Sequence, residues 1–274
     1  MNLALWSKTI GDARLLLAAL VALMFGFQWL FVWLSSLVEL GALAMFLQAL
    51  PGEFQSLLGM SLSKVATPTG RLALAYIDPV VIFATVVWGF ARGSDCISGE
   101  IGRGTMELLL AQPVRRSAIV AVQAAVTSAG AALMAVAAWL GTYQGLWAVG
   151  WLEQVEPRHF IPSAANLFAI TFFLAAASTL VSSCDSQRWR TLGIMGAFYI
   201  VELLIKIVAR LAPKLDWLMY CTVLGAFEPQ NLAVEPDRAW ELSLRYDGTL
   251  IGLGLLCYVL ATIIFCRRDV PAPL

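Results

Sequence analysis

"LLLAALVALMFGFQWLFVWLSSLV", Leu15 to Val38, runs for 24 residues without one charged side chain. A helix rises about 1.5 Å per residue and bilayer hydrocarbon is about 30 Å thick, so an apolar stretch of about 20 residues crosses it once. Outward from this run the same pattern recurs. Leu72–Ala91 carries only Asp78, beside Pro79 near one end, while Ala118–Leu140 and Phe160–Cys184 are charge-free. Thr191–Ala209 holds Glu202 and Lys206, and Gly248–Cys266 is clean again. A membrane-crossing strand needs only about 10 residues and alternates polar with apolar, which these runs do not. The expected fold is an all-α membrane protein, one domain over 1–274 with six transmembrane helices at 15–38, 72–91, 118–140, 160–184, 191–209 and 248–266.

Composition agrees. The chain is 60% apolar and 13% charged, with mean hydropathy +0.79, against about 45–50% and about 25% in a soluble domain. Its formal net charge is zero and no basic stripe stands out, so nucleic acid is excluded as a partner.

Orientation follows from Lys and Arg. One set of span ends holds Lys8, Arg14, Arg92, Arg103, Arg115, Arg116, Arg188, Arg190, Arg267 and Arg268 against six acids, a net of +4. The other set holds seven basic residues against eleven acids, a net of −4. Short loops rich in Lys and Arg stay inside, which places both termini in the cytoplasm and the chain in the inner (plasma) membrane. The first apolar run exceeds the roughly 7 to 15 residues of a signal-peptide core and is expected to be retained. Cys221 is the one cysteine of the outer side, and no CxxC or His-rich cluster suggests a metal.

Ahead of the first run, in "MNLALWSKTIGDAR", Leu3, Trp6, Ile10 and Ala13 recur at helical spacing with Ser7, Lys8, Asp12 and Arg14 on other faces. That pattern predicts a separate amphipathic helix in the membrane interface, either a plain anchor or a surface for a cytoplasmic partner.

The densest charge and glycine lie in the longest inner loop, "SGEIGRGTMELLLAQPVRR", Ser98 to Arg116. Ile97 and Ile101 share a face of one short helical piece, and Thr105–Ala111 forms a second that Gln112-Pro113 ends. Both are expected to lie parallel to the membrane. Glu100, Arg103 and Glu107 fall on one stripe, where they either pair with one another or meet a partner's charges.

This segment resembles the loop of the type-2 ABC transporter permease family. There an acidic residue, a Gly-Thr pair, a second Glu, a Leu-rich stretch, a Pro and an Arg follow in order before the third span. Glu100, Gly104, Thr105, Glu107, Leu108 to Leu110, Pro113 and Arg116 stand at those positions, and Gly99 and Ile101 stand where the family often has another acid. Lys8, Asp12 and Arg14 resemble the family's entry helix, and "FEPQNLAV", Phe227 to Val234, resembles its outer loop. The resemblance implies a permease subunit that forms the translocation pathway. It makes this loop the dock for an ATP-hydrolysing subunit, through Glu100, Gly104, Thr105, Glu107, Pro113 and Arg116, with Arg103 joining them from the shared stripe. It also implies a second copy of the chain. No GxxxxGK[ST] phosphate loop occurs here, so ATP and its Mg²⁺ belong on the partner and the chain is not itself an enzyme.

Glu202 and Lys206 sit at i and i+4 within the fifth span, the favourable order for a helical ion pair. Two readings fit: a self-neutralised pair, or charges lining a pathway. The outer stretches "LPGEFQSLLGMSLSKV" (50–65) and "WLMYCTVLGAF" (217–227) are apolar yet broken or too short to cross, so they suit interfacial or re-entrant helices that gate or cap the bundle. An ATP-independent carrier or channel is the alternative function. An intramembrane enzyme is disfavoured, since no inner-facing Ser/His, His/Glu or paired-Asp constellation is present.

Overall fold

The computed structural model of the protein describes residues 3–37 and 60–268. Val38 at the end of the first expected span, and residues 50–59 of the first outer stretch, lie outside them.

Among the described residues, six helical segments are long and apolar enough to cross a membrane: Leu3–Leu37, Pro68–Gly102, Arg116–Ala148, Pro157–Cys184, Arg188–Leu211 and Pro236–Arg267, here spans one to six. Each begins earlier or ends later than its apolar window. Hydropathy detects the part that suits hydrocarbon, whereas helical hydrogen bonding continues into the polar ends. No strand occurs among the described residues.

Span four is the centre of the bundle, packed by spans two, three and six. Small residues make this possible: Ala169, Ala175, Ala176, Ser178 and Ser182 are all buried. Between membrane helices, where no water is expelled, close backbone approach supplies the attraction. Gly93 of span two shows how close it is, since a Cβ there would stand 2.5 Å from Ser178 Cβ and 2.6 Å from the Ala175 carbonyl oxygen.

Span two is not a uniform helix. A 3₁₀ stretch, Leu74–Ile77, precedes Pro79, and the Asp78 carboxylate accepts the Val80 N–H at 2.9 Å in place of a backbone carbonyl. At the other end Asp95–Gly99 forms a π-helical turn. There the Ile97 and Ser98 N–H groups donate to Ser182 Oγ of span four at 3.3 and 2.8 Å.

Two expectations are corrected here. The N-terminal segment is not a separate interfacial helix, because residues 3–37 form one unbroken helix. Its buried stripe of Leu5, Thr9 and Ala13 continues directly into Leu20, Met24, Gln28 and Val32, whereas Leu3 and Ile10 are exposed. Likewise, the first helical piece of the charged loop is the end of span two, which runs through the π-turn to Gly102.

The span ends gather in two groups. At the end carrying the N-terminus, Arg116 Nη1 donates to the Arg268 carbonyl at 2.5 Å, and Arg268 Nη1 to the Ser183 and Asp185 carbonyls at 2.9 and 3.0 Å. At the opposite end, Arg71 Nη1 of span two donates to the Ser35 carbonyl of span one at 2.6 Å. Short helical turns, Pro213–Tyr220, Val223–Ala226 and Pro229–Val234, fill the connection from span five to span six.

Candidate functional site

At the end carrying the N-terminus, three spans meet on two carboxylates. Glu100, buried at the end of span two, accepts Lys8 Nζ of span one at 2.5 Å, Arg103 Nη2 at 2.9 Å and Thr105 Oγ1 at 2.5 Å. Asp95, one turn earlier, accepts Arg103 Nη1 at 2.6 Å and Arg188 Nη1 of span five at 3.2 Å. Arg103 therefore bridges both acids, and its hydrogen bond to Asp95 above all raises its pKa further. Buried Arg92 backs the cluster, donating to the Thr9 carbonyl and Gln123 Oε1 at 3.3 and 3.2 Å.

A turn at Gly104 closes this arrangement. Its φ of +70° lies in the left-handed region, where glycine bears no Cβ penalty. The reversal brings the Thr105 N–H to the Glu100 carbonyl at 3.0 Å as its hydroxyl reaches the carboxylate of the same residue. The short helix Met106–Leu110 follows. Met106 is fully buried and Leu109 and Leu110 pack partly on the core, so these residues anchor it, whereas Leu108 is 69% exposed.

The structure thus brings together Glu100, Arg103, Gly104 and Thr105 but not the whole expected set. Glu107 points outward with no ion pair among the described residues, and Pro113 is exposed in the following link. Arg116 is turned away to the end of span six, over the Phe265 ring at 5.8 Å. The stripe of Glu100, Arg103 and Glu107 is divided because the Gly104 turn separates the last residue from the first two.

The opposite end holds a second cluster, and here an expected contact is corrected. Glu202 and Lys206 do not pair with each other. Lys206 Nζ contacts the Glu228 carboxylate at 2.8 Å and donates to the Leu224 and Phe227 carbonyls at 2.8 and 2.7 Å. Glu202 accepts Thr222 Oγ1 at 2.5 Å and the Val223 N–H at 2.7 Å. The span five to six connection folds back on span five and offers each charge several partners, where the helix alone offers one. Glu228, itself buried, also receives Arg210 Nη2 at 2.5 Å, Gln230 Nε2 at 2.5 Å and Asn231 Nδ2 at 3.1 Å. Behind it Asn166 of span four accepts the Glu228 N–H at 3.1 Å and donates to Asp247 Oδ1 at 2.7 Å and the Ala226 carbonyl at 3.0 Å. Among the described residues no three His, Cys, Asp or Glu side chains converge as metal ligands would.

A family model described as "ABC-2 family transporter protein" matches residues 43–270. The chain belongs to the ABC-2 transporter family. No curated protein is matched by the sequence. The match takes in spans two to six and both charge clusters apart from Lys8, so the ABC-2 assignment rests on more of the chain than the loop that first suggested it.

Within this ABC-2 chain, sequence reading missed Asp95, Arg188, Glu228, Asn166 and Asp247. Glu228 carried a signal, being the acid of "FEPQNLAV", the stretch already marked as family-like. Asn166 carried one as well, as the one amide side chain of the charge-free run Phe160–Cys184. Arg188 and Asp95 carried none, since each resembles any charge at a helix end.

Proposed function

We propose that this ABC-2 chain is the membrane-spanning permease subunit of an ABC exporter. Two copies form the translocation pathway in the inner membrane, with both termini cytoplasmic and additional accessory subunits accommodated. A separate ATPase subunit binds ATP and Mg²⁺ and supplies the energy. The reading is supported above all by the Glu100 cluster. Lys8, Asp95, Arg103 and Arg188 join spans one, two and five at one point, and the short helix Met106–Leu110 hangs from that point with Glu107 and Leu108 exposed. A partner that grips Glu107 and Leu108 moves Thr105 and Arg103 directly, and through them three spans together. Packed helices answer such a push by switching between discrete arrangements, here inward-open and outward-open, and not by bending gradually.

The test is whether a Walker-motif ATPase is encoded beside this chain and co-purifies with it, together with ATP hydrolysis in lipid. Glu107→Lys combined with Leu108→Asp abolishes both co-purification and the permease-stimulated part of hydrolysis while membrane insertion is retained. Unchanged values, or the absence of any such ATPase, return the chain to an ATP-independent carrier or channel.

A further inference from the structure

The Glu228 end contains a cavity of about 560 Å³, walled by the span five to six connection and by the start of span six. Its size lies within the roughly 300 to 1,000 Å³ of small-molecule sites. The Glu228 cluster forms one wall. Glu228 has its two oxygens engaged by Lys206, Arg210, Gln230 and Asn231, so it has little left to offer a ligand. The opposing wall is rich in donors. Arg245 has no acidic partner among the described residues, its guanidinium lying 5.8 Å from the Tyr220 ring centroid. Neither the Tyr220 nor the Tyr246 hydroxyl makes a hydrogen bond within the described residues, and both side chains line the cavity. Asp216, the other acid of the lining, is exposed at the rim, where water screens it. Below these donors the lining turns apolar at Leu253, which is 43% exposed, with Leu250 fully buried behind it.

We infer that this cavity binds an anionic amphiphile with a phosphate headgroup, held by Arg245, Tyr220 and Tyr246, its chain lying along Leu253. A guanidinium presents paired N–H donors in the geometry that phosphate oxygens accept, and tyrosine hydroxyls suit the depth at which headgroups lie. Arg210 behind the opposite wall adds positive potential without leaving Glu228. Entry is lateral, between spans five and six, where the connection packs against both helices and forms the roof. That the amphiphile is cargo rests on the transport reading; that the cavity holds it does not.

The test uses the full-length permease alone, with neither ATP nor the ATPase, so failure here is separate from failure of the coupling reading. Native mass spectrometry from nanodiscs mixing phosphatidylglycerol with phosphatidylcholine is expected to show phosphatidylglycerol retained preferentially. Arg245→Ala lowers that preference by about tenfold, the loss expected of one charge-assisted hydrogen bond, and Arg245→Lys restores part of it. Should Arg245→Ala fail to fold, Tyr220→Phe with Tyr246→Phe is the second variant, with a loss of severalfold expected. Equal retention of the two lipids, or preference unchanged in every variant that folds, overturns the site. A competition arm compares short-chain phosphatidylglycerol with glycerol 3-phosphate. If glycerol 3-phosphate displaces bound lipid equally well, the amphiphile is overturned in favour of a soluble phosphate.

Discussion

Lys206 of span five and Glu228 of the following connection meet at 2.8 Å, with their side chains 10% and 5% exposed. This contact replaces the i,i+4 pair with Glu202 and ties the end of span five to the loop that precedes span six. Removing one partner of a buried ion pair leaves the other charge uncompensated, at about 3 to 5 kcal/mol.

The first prediction follows from that contact. Glu228→Gln is expected to destabilise the protein in detergent by about 3 to 5 kcal/mol. A double-mutant cycle between Lys206→Met and Glu228→Gln gives a coupling above about 1 kcal/mol, whereas the cycle between Lys206→Met and Glu202→Gln gives one within about 0.5 kcal/mol of zero. Equal couplings in the two cycles would mean that Lys206 is shared between the carboxylates in solution.

A second prediction concerns Gly104. A built Cβ meets no atom within 4 Å, so any penalty is conformational and arises from the φ of +70°. Gly104→Val is expected to cost about 1 to 3 kcal/mol and Gly104→Asn distinctly less, because asparagine tolerates the left-handed region. Thermal unfolding in detergent checks the order, and equal costs for the two would show that the turn relaxes.

Gly93 and Gly196 make a contrasting pair. At Gly93 a methyl collides with Ser178 and Ala175 of span four, whereas at Gly196 nothing lies within 4 Å. Gly93→Ala is expected to lose about 1 to 3 kcal/mol through overpacking, and Gly196→Ala to be neutral or to gain up to about 1 kcal/mol from helix propensity. Melting temperatures of the two variants are compared in the same detergent, and a neutral Gly93→Ala would show spans two and four to be more loosely packed than described.

For the Glu100 cluster, the coupling role proposed above predicts that Arg103→Glu acts more strongly than Glu100→Gln. The former places a third carboxylate beside Asp95 and Glu100, which sit at 2.6 and 2.9 Å from the Arg103 guanidinium. The latter keeps the Thr105 contact in shape and removes only charge. Permease-stimulated ATP hydrolysis measures both, with each variant's membrane insertion as the control; full stimulation in Arg103→Glu would remove the cluster from coupling.

Topology has a direct check in native cysteines. Cys221 and Cys184 are both exposed, and they lie at opposite ends of the bundle. A membrane-impermeant maleimide added to intact cells labels Cys221 and spares Cys184 if both termini are cytoplasmic, and the reverse pattern inverts the orientation.

The number of spans was determined by the sequence alone, because an apolar run long enough to cross hydrocarbon announces itself without reference to any neighbour. The charged loop was legible in the same way, through its glycines and its order of residue types. What lay beyond reach was partner choice. Lys206 has Glu202 one turn away in sequence but takes Glu228 instead, 22 positions on, since folding the connection back supplies a carboxylate and two carbonyls at once. Periodicity put Leu3, Trp6, Ile10 and Ala13 on one apolar face of the N-terminus, whereas the fold buries Leu5, Thr9 and Ala13, a choice that depends on where the other spans stand. Glu100 stood out in the sequence as an acid of the charged loop, yet its burial beneath Lys8, Arg103 and Thr105 was decided only when span one and the Gly104 turn closed over it. Local pattern follows from the chain's own hydrogen bonding and hydropathy, whereas the pairing of buried charges is settled by which helices come together in three dimensions.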